Sequence, residues 1–306
     1  MTGKLRTILC VSAVILACSA RAALVSDFAD FSLRNNGGSL LLPGRLYVPP
    51  EAASDPAMQR PFILFLHGGG EVGTNNVAQV NGNIDGLLAE AKRRGAYLYA
   101  PQSPGAWSDL TLTGRVMSMI DRALVEQRVD ANRLYVTGLS NGGGGTWNIL
   151  SRYGARFAAG VPICGVTPAG DFTPARLVHQ AIAAFHARND TVVSVSTSRT
   201  TMNRILTAAP LPLPTYPSLT APDFVYESPG LDLHYIEFQT GGHGIWGTIY
   251  NAPPLYEWLF DHALAVPEPS GFLVAAPMMF AVAAVRRRRS LRTPGRCSSA
   301  AFRSRP

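Results

Sequence analysis

One segment near the middle of the chain constrains the fold more than any other: a short strand-like run that ends in a glycine-flanked serine. Residues 134–137 are apolar, aromatic or β-branched, residues 138–142 read Gly-Leu-Ser-Asn-Gly, and residues 143–153 have the pattern of a helix. Glycines two positions before and two positions after the serine let a strand and a helix approach closely. The segment predicts a strand, a strained turn with Ser140 at its apex, and a helix whose N-terminal N–H groups favour a developing oxyanion. An ordinary glycine-rich turn is the alternative.

The rest of residues 23–265 alternates strand-like and helix-like segments, which is typical of a mostly parallel sheet flanked by helices. Strands are predicted at residues 40–48, 61–66, 96–100, 134–137, 159–163, 181–186 and 233–238, and helices at residues 82–93, 114–127, 143–153, 196–208 and 254–263. Five prolines in residues 209–223 are too many for a helix interior and predict a long surface loop. Residues 23–265 are therefore predicted to form a single α/β domain.

The basic charge of the chain comes from its two ends. The net charge is +7, but residues 1–22 carry three basic residues, and residues 286–306 carry eight arginines and no acidic residue. The remaining residues include 16 basic and 20 acidic ones, a net charge of −4. The high isoelectric point therefore does not indicate a nucleic-acid surface, and no nucleic-acid partner is predicted.

The first 22 residues have the composition of an export signal. Lys4 and Arg6 form a positive start, an apolar run follows, and residues 20–22 read Ala-Arg-Ala, a small-x-small cleavage site. The apolar run is short for a membrane span, and residues 15–18 fit a lipoprotein attachment box less well than simple cleavage. Cleavage after Ala22 and export from the cytoplasm are therefore predicted.

The end of the chain carries a second targeting pattern. Residues 266–289 begin with Val-Pro-Glu-Pro, continue with 17 uncharged residues (269–285) and end in four arginines. That length is the lower limit for crossing a bilayer, so a transmembrane helix with its arginines on the cytoplasmic side is predicted. The segment resembles the PEP-CTERM sorting signals of Gram-negative bacteria, which implies display on the cell surface or in the extracellular matrix, transient membrane insertion and processing by an exosortase. The basic tail, residues 290–306, departs from that pattern.

A serine nucleophile needs a base and an acid that orients the base, and the chain offers a candidate for each. His243 has a glycine on each side and lies in a loop after the last predicted strand. Asp190 follows the preceding predicted strand, at residues 181–186, although residues 189–191, Asn-Asp-Thr, are also typical of a turn. The order serine, aspartate, histidine is that of the α/β hydrolases. Ser140, Asp190 and His243 are therefore the predicted catalytic residues.

The glycine-rich stretch at residues 67–71 is the predicted source of an oxyanion donor. Glycines in a turn after an apolar strand let a backbone N–H face a ligand without a side chain in the way. We predict the N–H groups of Asn141 and of one glycine at positions 68–70 as the two donors, with Gly69 preferred and the choice among the three glycines left open by the sequence. His67 is predicted to brace the loop rather than take part in catalysis.

Aromatic and sulfur-containing residues carry weaker signals. Trp107 and Trp246 are predicted to contact substrate by stacking on an aromatic acyl group or a sugar, with burial as packing residues as the alternative. Cys164 reads as a small apolar residue at a strand end. The sequence has no motif with metal-ligand or phosphate-loop spacing, so no metal and no cofactor are predicted.

Several stretches together resemble the phospholipase/carboxylesterase-like branch of the α/β hydrolases. They are residues 67–75, residues 100–102 with Trp107 downstream, residues 130–143, residues 157–165 and residues 243–246. That branch includes poly(3-hydroxybutyrate) depolymerase-like esterases, feruloyl and acetyl-xylan esterases, and proteins described as peptidases. The resemblance implies a serine hydrolase that needs no cofactor. Asn141 and Gly244 depart from it, since methionine and aspartate are common at these positions.

The function predicted from the sequence is that of a secreted serine esterase. Its substrate would be a small acyl ester, a polysaccharide-linked ester or a polyester, cleaved through an acyl-enzyme. Two alternatives stay open at this point: a serine peptidase of the same fold, and a catalytically idle surface or matrix protein that binds polysaccharide.

Overall fold

The central strands are apolar at almost every position, a pattern typical of strands that are covered on both faces. Every residue of the segment 60–66 is buried. Its side chains at positions 62, 64 and 66 belong to one hydrophobic cluster, and those at positions 63 and 65 belong to another. The sheet therefore lies between two apolar layers in the computed structural model.

The structure describes residues 25–265. The export signal predicted at residues 1–22, the PEP-CTERM-like segment with its transmembrane helix at residues 266–289 and the basic tail at residues 290–306 lie outside the described residues. Between residues 25 and 265, none of the helices has the length and apolar character needed to span a bilayer.

The described residues form eleven strands and seven α-helices. The strands are β1 (Ala29–Asp30), β2 (Leu33–Arg34), β3 (Leu40–Leu42), β4 (Gly44–Tyr47), β5 (Arg60–Leu66), β6 (Tyr97–Pro101), β7 (Val129–Leu139), β8 (Ala159–Ile163), β9 (Ala181–Ala187), β10 (Phe224–Glu227) and β11 (Leu233–Phe238). The helices are α1 (Glu51–Ser54), α2 (Asp85–Arg94), α3 (Leu110–Glu126), α4 (Asn141–Tyr153), α5 (Ser196–Ala208), α6 (Trp246–Tyr250) and α7 (Pro253–Phe260).

Nine of these strands form one sheet in the order β1-β4-β6-β5-β7-β8-β9-β11-β10. The six central strands, in sheet order β6, β5, β7, β8, β9 and β11, run parallel to one another. The pairs β1–β4, β4–β6 and β10–β11 at the two edges are antiparallel. Helices α2, α6 and α7 supply buried side chains on one face, and α3, α4 and α5 supply them on the other. The predicted mostly parallel sheet with flanking helices is therefore confirmed.

Most predicted elements lie where the sequence indicated, and the differences have local causes. Strands β8 and β11 and helix α5 have the predicted bounds. Helix α3 begins four residues earlier than predicted, because the side chain of Asp109 caps it by accepting the N–H of Leu112 at 2.8 Å. Strand β10 was not predicted, since its four half-buried residues pair only with β11 at the sheet edge.

The predicted proline-rich loop at residues 209–223 contains no helix or strand, which confirms the prediction. Two arginines hold it. The guanidinium of Arg188 donates to the carbonyl of Ser218 at 2.8 Å, and that of Arg199 donates to the carbonyl of Pro217 at 3.1 Å. The loop is thus fastened at the end of β9, close in sequence to Asp190.

Parallel strands end at the same edge of a sheet, so the residues that follow them come close together. At the carboxyl edge, residues 67–71 follow β5, Ser140 follows β7, Cys164 follows β8, Asp190 follows β9, and His243 follows β11. The candidate site is therefore assembled at one edge from five consecutive parallel strands.

A second group of ionisable residues ties the start of β11 to the end of α7. Asp232 accepts from Nε2 of His234 at 2.9 Å and from Nε2 of His262 at 2.7 Å. Nδ1 of His262 also donates to the carbonyl of Trp258 at 2.8 Å, so both ring nitrogens donate, as in the charged form. Burial opposes that charge, but the contacts with Asp232 and Trp258 outweigh it and raise the pKa of His262.

We expect the substitution His262→Gln to destabilise the protein at mildly acidic pH and to have little effect at alkaline pH. The pKa of His262 is higher in the folded chain, so its stabilisation is complete below the unfolded value of about 6.5 and is lost as pH rises through the folded value. Because the pair is partly exposed, we expect a loss of about 0.5–1 kcal/mol. Thermal unfolding at about pH 5.5 and about pH 9 measures it, with the exposed His179→Gln as control. Equal losses at both pH values would contradict the expectation.

Candidate active site

Ser140 occupies a strained turn between β7 and α4. Its φ is +55° and its ψ is −116°, a region that residues with a Cβ rarely adopt. Hydrogen bonds hold this conformation, because the N–H of Ser140 donates to the carbonyl of Ile163 at 3.0 Å and its carbonyl accepts from the N–H of Val166 at 3.1 Å. The predicted strand, strained turn and helix are therefore present.

Two glycines allow the turn to pack against β5. A Cβ on Gly138 would lie 2.7 Å from the carbonyl oxygen of Leu66 and closer still to that of Gly142. A Cβ on Gly142 would lie 2.7 Å from the carbonyl oxygen of His67 and closer still to that of Leu66. This confirms that glycine is needed at both positions, and it brings the N-terminus of α4 against the loop that follows β5.

The structure brings Ser140, His243 and Asp190 together in one hydrogen-bonded relay. Oγ of Ser140 lies 2.9 Å from Nε2 of His243, and Nδ1 of His243 lies 2.7 Å from Oδ2 of Asp190. Because an ionised carboxylate can only accept, Nδ1 carries a hydrogen and Nε2 can accept the hydroxyl proton of the serine. The arrangement can therefore activate Ser140 as a nucleophile.

Asp190 is held as a charged carboxylate. Its side chain is fully buried, and burial disfavours the charge, but hydrogen bonds from His243, Val193 and Val192 outweigh burial and lower the pKa of Asp190. The two backbone donors reach Oδ1 at 2.8 and 2.9 Å, and His243 reaches Oδ2. One oxygen of Asp190 therefore forms the turn that the sequence indicated, and the other faces the histidine; the catalytic role of Asp190 stays a prediction.

His67 braces the glycine-rich loop, as predicted. Its Nε2 accepts from the N–H of Ser103 at 2.8 Å, and its Nδ1 donates to the carbonyl of Gly68 at 2.7 Å. Burial lowers the pKa of His67 to about 4, so the ring is neutral at neutral pH. A neutral ring with one donor and one acceptor satisfied fits a structural role.

The two predicted oxyanion donors are Gly69, on the loop that follows β5, and Asn141, which follows Ser140 in the turn of residues 138–142, called the elbow below. Gly69 is exposed, whereas Gly68 packs against the side chain of Leu139, the residue before the serine. Asn141 is the first residue of α4, where a backbone N–H has no carbonyl within the helix to receive it. Its side chain donates to the carbonyl of Gly105 at 3.3 Å. The donor roles of Gly69 and Asn141 stay predictions.

Trp107 is buried, which corrects its predicted contact with substrate. It has no exposed surface, its ring packs edge-on against His67 at 5.1 Å, and its indole N–H donates to the carbonyl of His67 at 3.0 Å. The packing alternative is right for this residue, because an indole that supports the loop from within cannot also stack on a ligand.

We expect Trp107→Phe to lower stability by about 2 kcal/mol, because the buried carbonyl of His67 loses its indole donor. Denaturant unfolding measures the loss. The KM for any ester should stay within about twofold, since the ring is out of reach of substrate. A large rise in KM with unchanged stability would restore the substrate-binding interpretation.

Trp246 is partly exposed and lies beside the relay. Its ring is perpendicular to that of His243 at 5.4 Å, and its N–H donates to Oδ1 of Asn83 at 3.0 Å. Nδ2 of Asn83 donates in turn to Glu71 of the glycine-rich loop at 2.6 Å. No pattern in the sequence indicates Asn83, because its partners Glu71 and Trp246 are distant along the chain. Substrate contact by Trp246 stays a prediction.

Cys164 is closer to the relay than the sequence suggested. Its thiol donates to the carbonyl of His243 at 3.4 Å, and ligand atoms of Cys164, Asp190 and His243 lie within 4.8 Å of one another. Such a set could hold a metal ion, but burial raises the pKa of the Cys164 thiol to about 12, and Asp190 and His243 are bonded to each other. The position directly after β8, between the strands that carry Ser140 and Asp190, was the signal that could have indicated this.

Comparison with known proteins places these features in context. No protein-family model matches the chain. The poly(3-hydroxybutyrate) depolymerase of Ralstonia pickettii is 28% identical over 155 residues, which are 45% of this chain and 31% of that protein. The structure of a thermostable esterase is 29% identical with a TM-score of 0.64 and covers 78% of this chain and 64% of that one. The acetyl xylan esterase from Aspergillus awamori is 17% identical with a TM-score of 0.53, covering 72% and 94% of the two chains.

These similarities agree with the mostly parallel sheet described above. The chain has the α/β-hydrolase fold, as predicted. It spans 31% of the length of the depolymerase and 64% of that of the thermostable esterase. The likeness to a depolymerase and to esterases supports a hydrolase.

Proposed function

We propose that this protein is a serine hydrolase that acts on carboxylic esters. The observation that carries the proposal is the relay from Ser140 through His243 to Asp190, with links of 2.9 and 2.7 Å, at a serine with a φ of +55°. Similarity to a thermostable esterase and to a depolymerase supports the same class of reaction.

In the proposed reaction, Oγ of Ser140 attacks the ester carbonyl while Nε2 of His243 takes the hydroxyl proton. The same proton then goes to the leaving alcohol, and an acyl-enzyme remains on Ser140. Water attacks the acyl-enzyme with His243 again as the base, which releases the acid and restores the serine. Asp190 stays ionised throughout, and it stabilises and orients the imidazolium.

The proposed oxyanion donors are the N–H groups of Asn141 and Gly69. The first is supported by its place at the N-terminus of α4, where the helix dipole favours negative charge. The second is supported by an exposed glycine on a loop that His67 holds rigid. Each donor is expected to contribute about 10²–10³-fold to the rate. This mechanism requires no cofactor.

Labelling with a fluorophosphonate probe, followed by mass spectrometry, tests the proposal on the purified protein. We expect one label, on Ser140. A panel of acetyl, butyryl, feruloyl, acetylated-sugar and hydroxybutyrate esters, run beside a peptide series, then identifies the substrate class. A protein that neither reacts nor hydrolyses any ester would be an idle binding protein, and faster turnover of peptides than of esters would make it a peptidase.

We also propose that the enzyme works outside the cytoplasm. The composition of residues 1–22 and the PEP-CTERM-like residues 266–289 supports export and surface or matrix display. Fractionation of cells that express the full chain should find it outside the cytoplasm, and a variant without residues 1–22 should stay inside. The mass of the mature chain tests cleavage of the C-terminal segment by an exosortase. A cytoplasmic full chain would contradict this proposal without affecting the proposed chemistry.

A further inference from the structure

A second buried histidine lies behind the relay, and the proposed mechanism does not use it. His186 is on β9, four residues before Asp190, and has no exposed surface. Among residues 25–265, His186 and His243 are the two basic side chains that have a nitrogen within 4.0 Å of Oδ2 of Asp190. The role of His186 is therefore connected with that carboxylate.

The contacts of His186 establish which ring nitrogen carries its hydrogen. Nε2 lies 2.9 Å from the carbonyl of Val193 and 3.3 Å from Oδ2 of Asp190, and both of these oxygens only accept. Nε2 must therefore carry the hydrogen, and the hydroxyl of Ser198 donates to Nδ1 at 2.8 Å. Burial lowers the pKa of His186 despite the contacts with Val193 and Asp190, so the ring is a neutral donor at Nε2.

These contacts close a ring around the turn that carries Asp190. Val193 donates its N–H to Oδ1 of Asp190 and accepts from His186 through its carbonyl. His186 and His243 both approach Oδ2, from β9 and from the loop after β11. Oδ2 of Asp190 thus has a ring nitrogen of each of the two histidines within 3.3 Å.

His186 cannot act on substrate itself. His186 and Ser198 form a second serine–histidine pair next to Asp190, but both residues are almost completely buried. Ionisable groups face this cluster from each neighbouring element: Asp190, His243, Cys164 at the end of β8, and Glu237 on β11, which is paired with two arginines. Any influence of His186 on the reaction must pass through Asp190.

We propose that His186 is a positioning residue of the relay, which aims the carboxylate of Asp190 at His243 and takes up part of its negative charge. This inference rests on the proposed function. It differs from a purely structural role because it makes His186 control the chemical step and its pH dependence, not only the stability of β9.

The substitution His186→Phe, which keeps a ring but removes both hydrogen bonds, tests the proposal on the full chain. We expect kcat to fall about 10- to 100-fold with little change in KM, because a misaimed carboxylate affects the transition state more than substrate binding. The acidic limb of the plot of kcat/KM against pH should move to higher pH by about half a unit or more. Without the N–H of His186, Oδ2 of Asp190 keeps more negative charge and stabilises the imidazolium of His243 more strongly. His186→Gln, which can still donate to Asp190, should recover most of kcat.

His234→Phe is the matched control, because His234 is a largely buried histidine on the next strand that contacts Asp232 instead of the relay. Its kcat and acidic limb should stay close to those of the wild type. If His186→Phe folds and matches His234→Phe in both measurements, the proposal is wrong. A fall in kcat without rescue by His186→Gln and without a shift of the acidic limb would also overturn it, since that result indicates a structural role.

Nitrogen NMR of the histidine rings keeps the proposal testable if His186→Phe does not fold. The wild-type ring of His186 should be neutral with its hydrogen on Nε2 at neutral and alkaline pH, and a charged ring or a hydrogen on Nδ1 under those conditions would overturn the proposal. Failure of the proposed function gives a different result. In that case Ser140→Ala would be as active as the wild type, whatever the effect of His186→Phe.

Discussion

Replacing Ser140 by alanine is expected to lower the rate of ester hydrolysis by on the order of 10⁵- to 10⁶-fold while leaving the fold intact. The alanine has no atom that can attack the carbonyl or accept the acyl group, so only binding and the oxyanion donors would remain to accelerate hydrolysis. Steady-state turnover of the best ester from the panel measures the loss, and circular dichroism checks the fold. Because the three relay residues act as one unit, Ser140→Ala combined with His243→Ala should lose little more than Ser140→Ala alone.

Ser118→Ala is the control for this experiment, since Ser118 is an exposed serine on α3 whose hydroxyl bonds only to the carbonyl of Gly114. It should keep wild-type activity and wild-type labelling by the fluorophosphonate. Retention of turnover by Ser140→Ala, in a preparation free of contaminating esterase, would refute the assignment of the nucleophile. Labelling of Ser140→Ala by the probe would do the same.

The substitution Gly142→Ala is expected to cause the largest loss of stability among single methyl additions at the elbow. Its Cβ would clash with the carbonyl oxygens of Leu66 and His67, which are backbone atoms at the end of β5 and cannot swing away as a side chain could. We expect a loss of about 3 kcal/mol or more, or about 10 °C in Tm for a domain of this size. Thermal unfolding measures this loss, and ester turnover should fall as well because the helix must move away from the loop.

Gly114→Ala is the matched control, because Gly114 is also inside a helix but has no neighbouring atom within 4 Å of a Cβ. Alanine there should raise stability by about 0.5–1 kcal/mol, since it removes the entropic cost of a helical glycine. The two substitutions add the same methyl group with opposite expected signs. Equal effects would mean that close packing at the elbow is not what requires glycine at position 142.

The sheet and the relay could be predicted because each depends on patterns that are local in the sequence. Strands β8 and β11 and helix α5 have the bounds that the apolar runs and the helical period indicated. Ser140, Asp190 and His243 each follow a strand, and parallel strands bring such residues to one edge. The edge strand β10 was missed because it has too few residues to carry a period, and it forms only by pairing with β11.

The sequence by itself determined the class of fold, the glycines at positions 138 and 142 and the order of the relay residues, because strand periodicity and turn chemistry act over a few residues. Only the tertiary structure decided that Trp107 is buried against His67 and that His186 stands behind Asp190. An apolar ring or an imidazole is compatible with the interior or with a site. Which of the two it occupies depends on contacts with residues distant along the chain, and those contacts exist only once the sheet has formed.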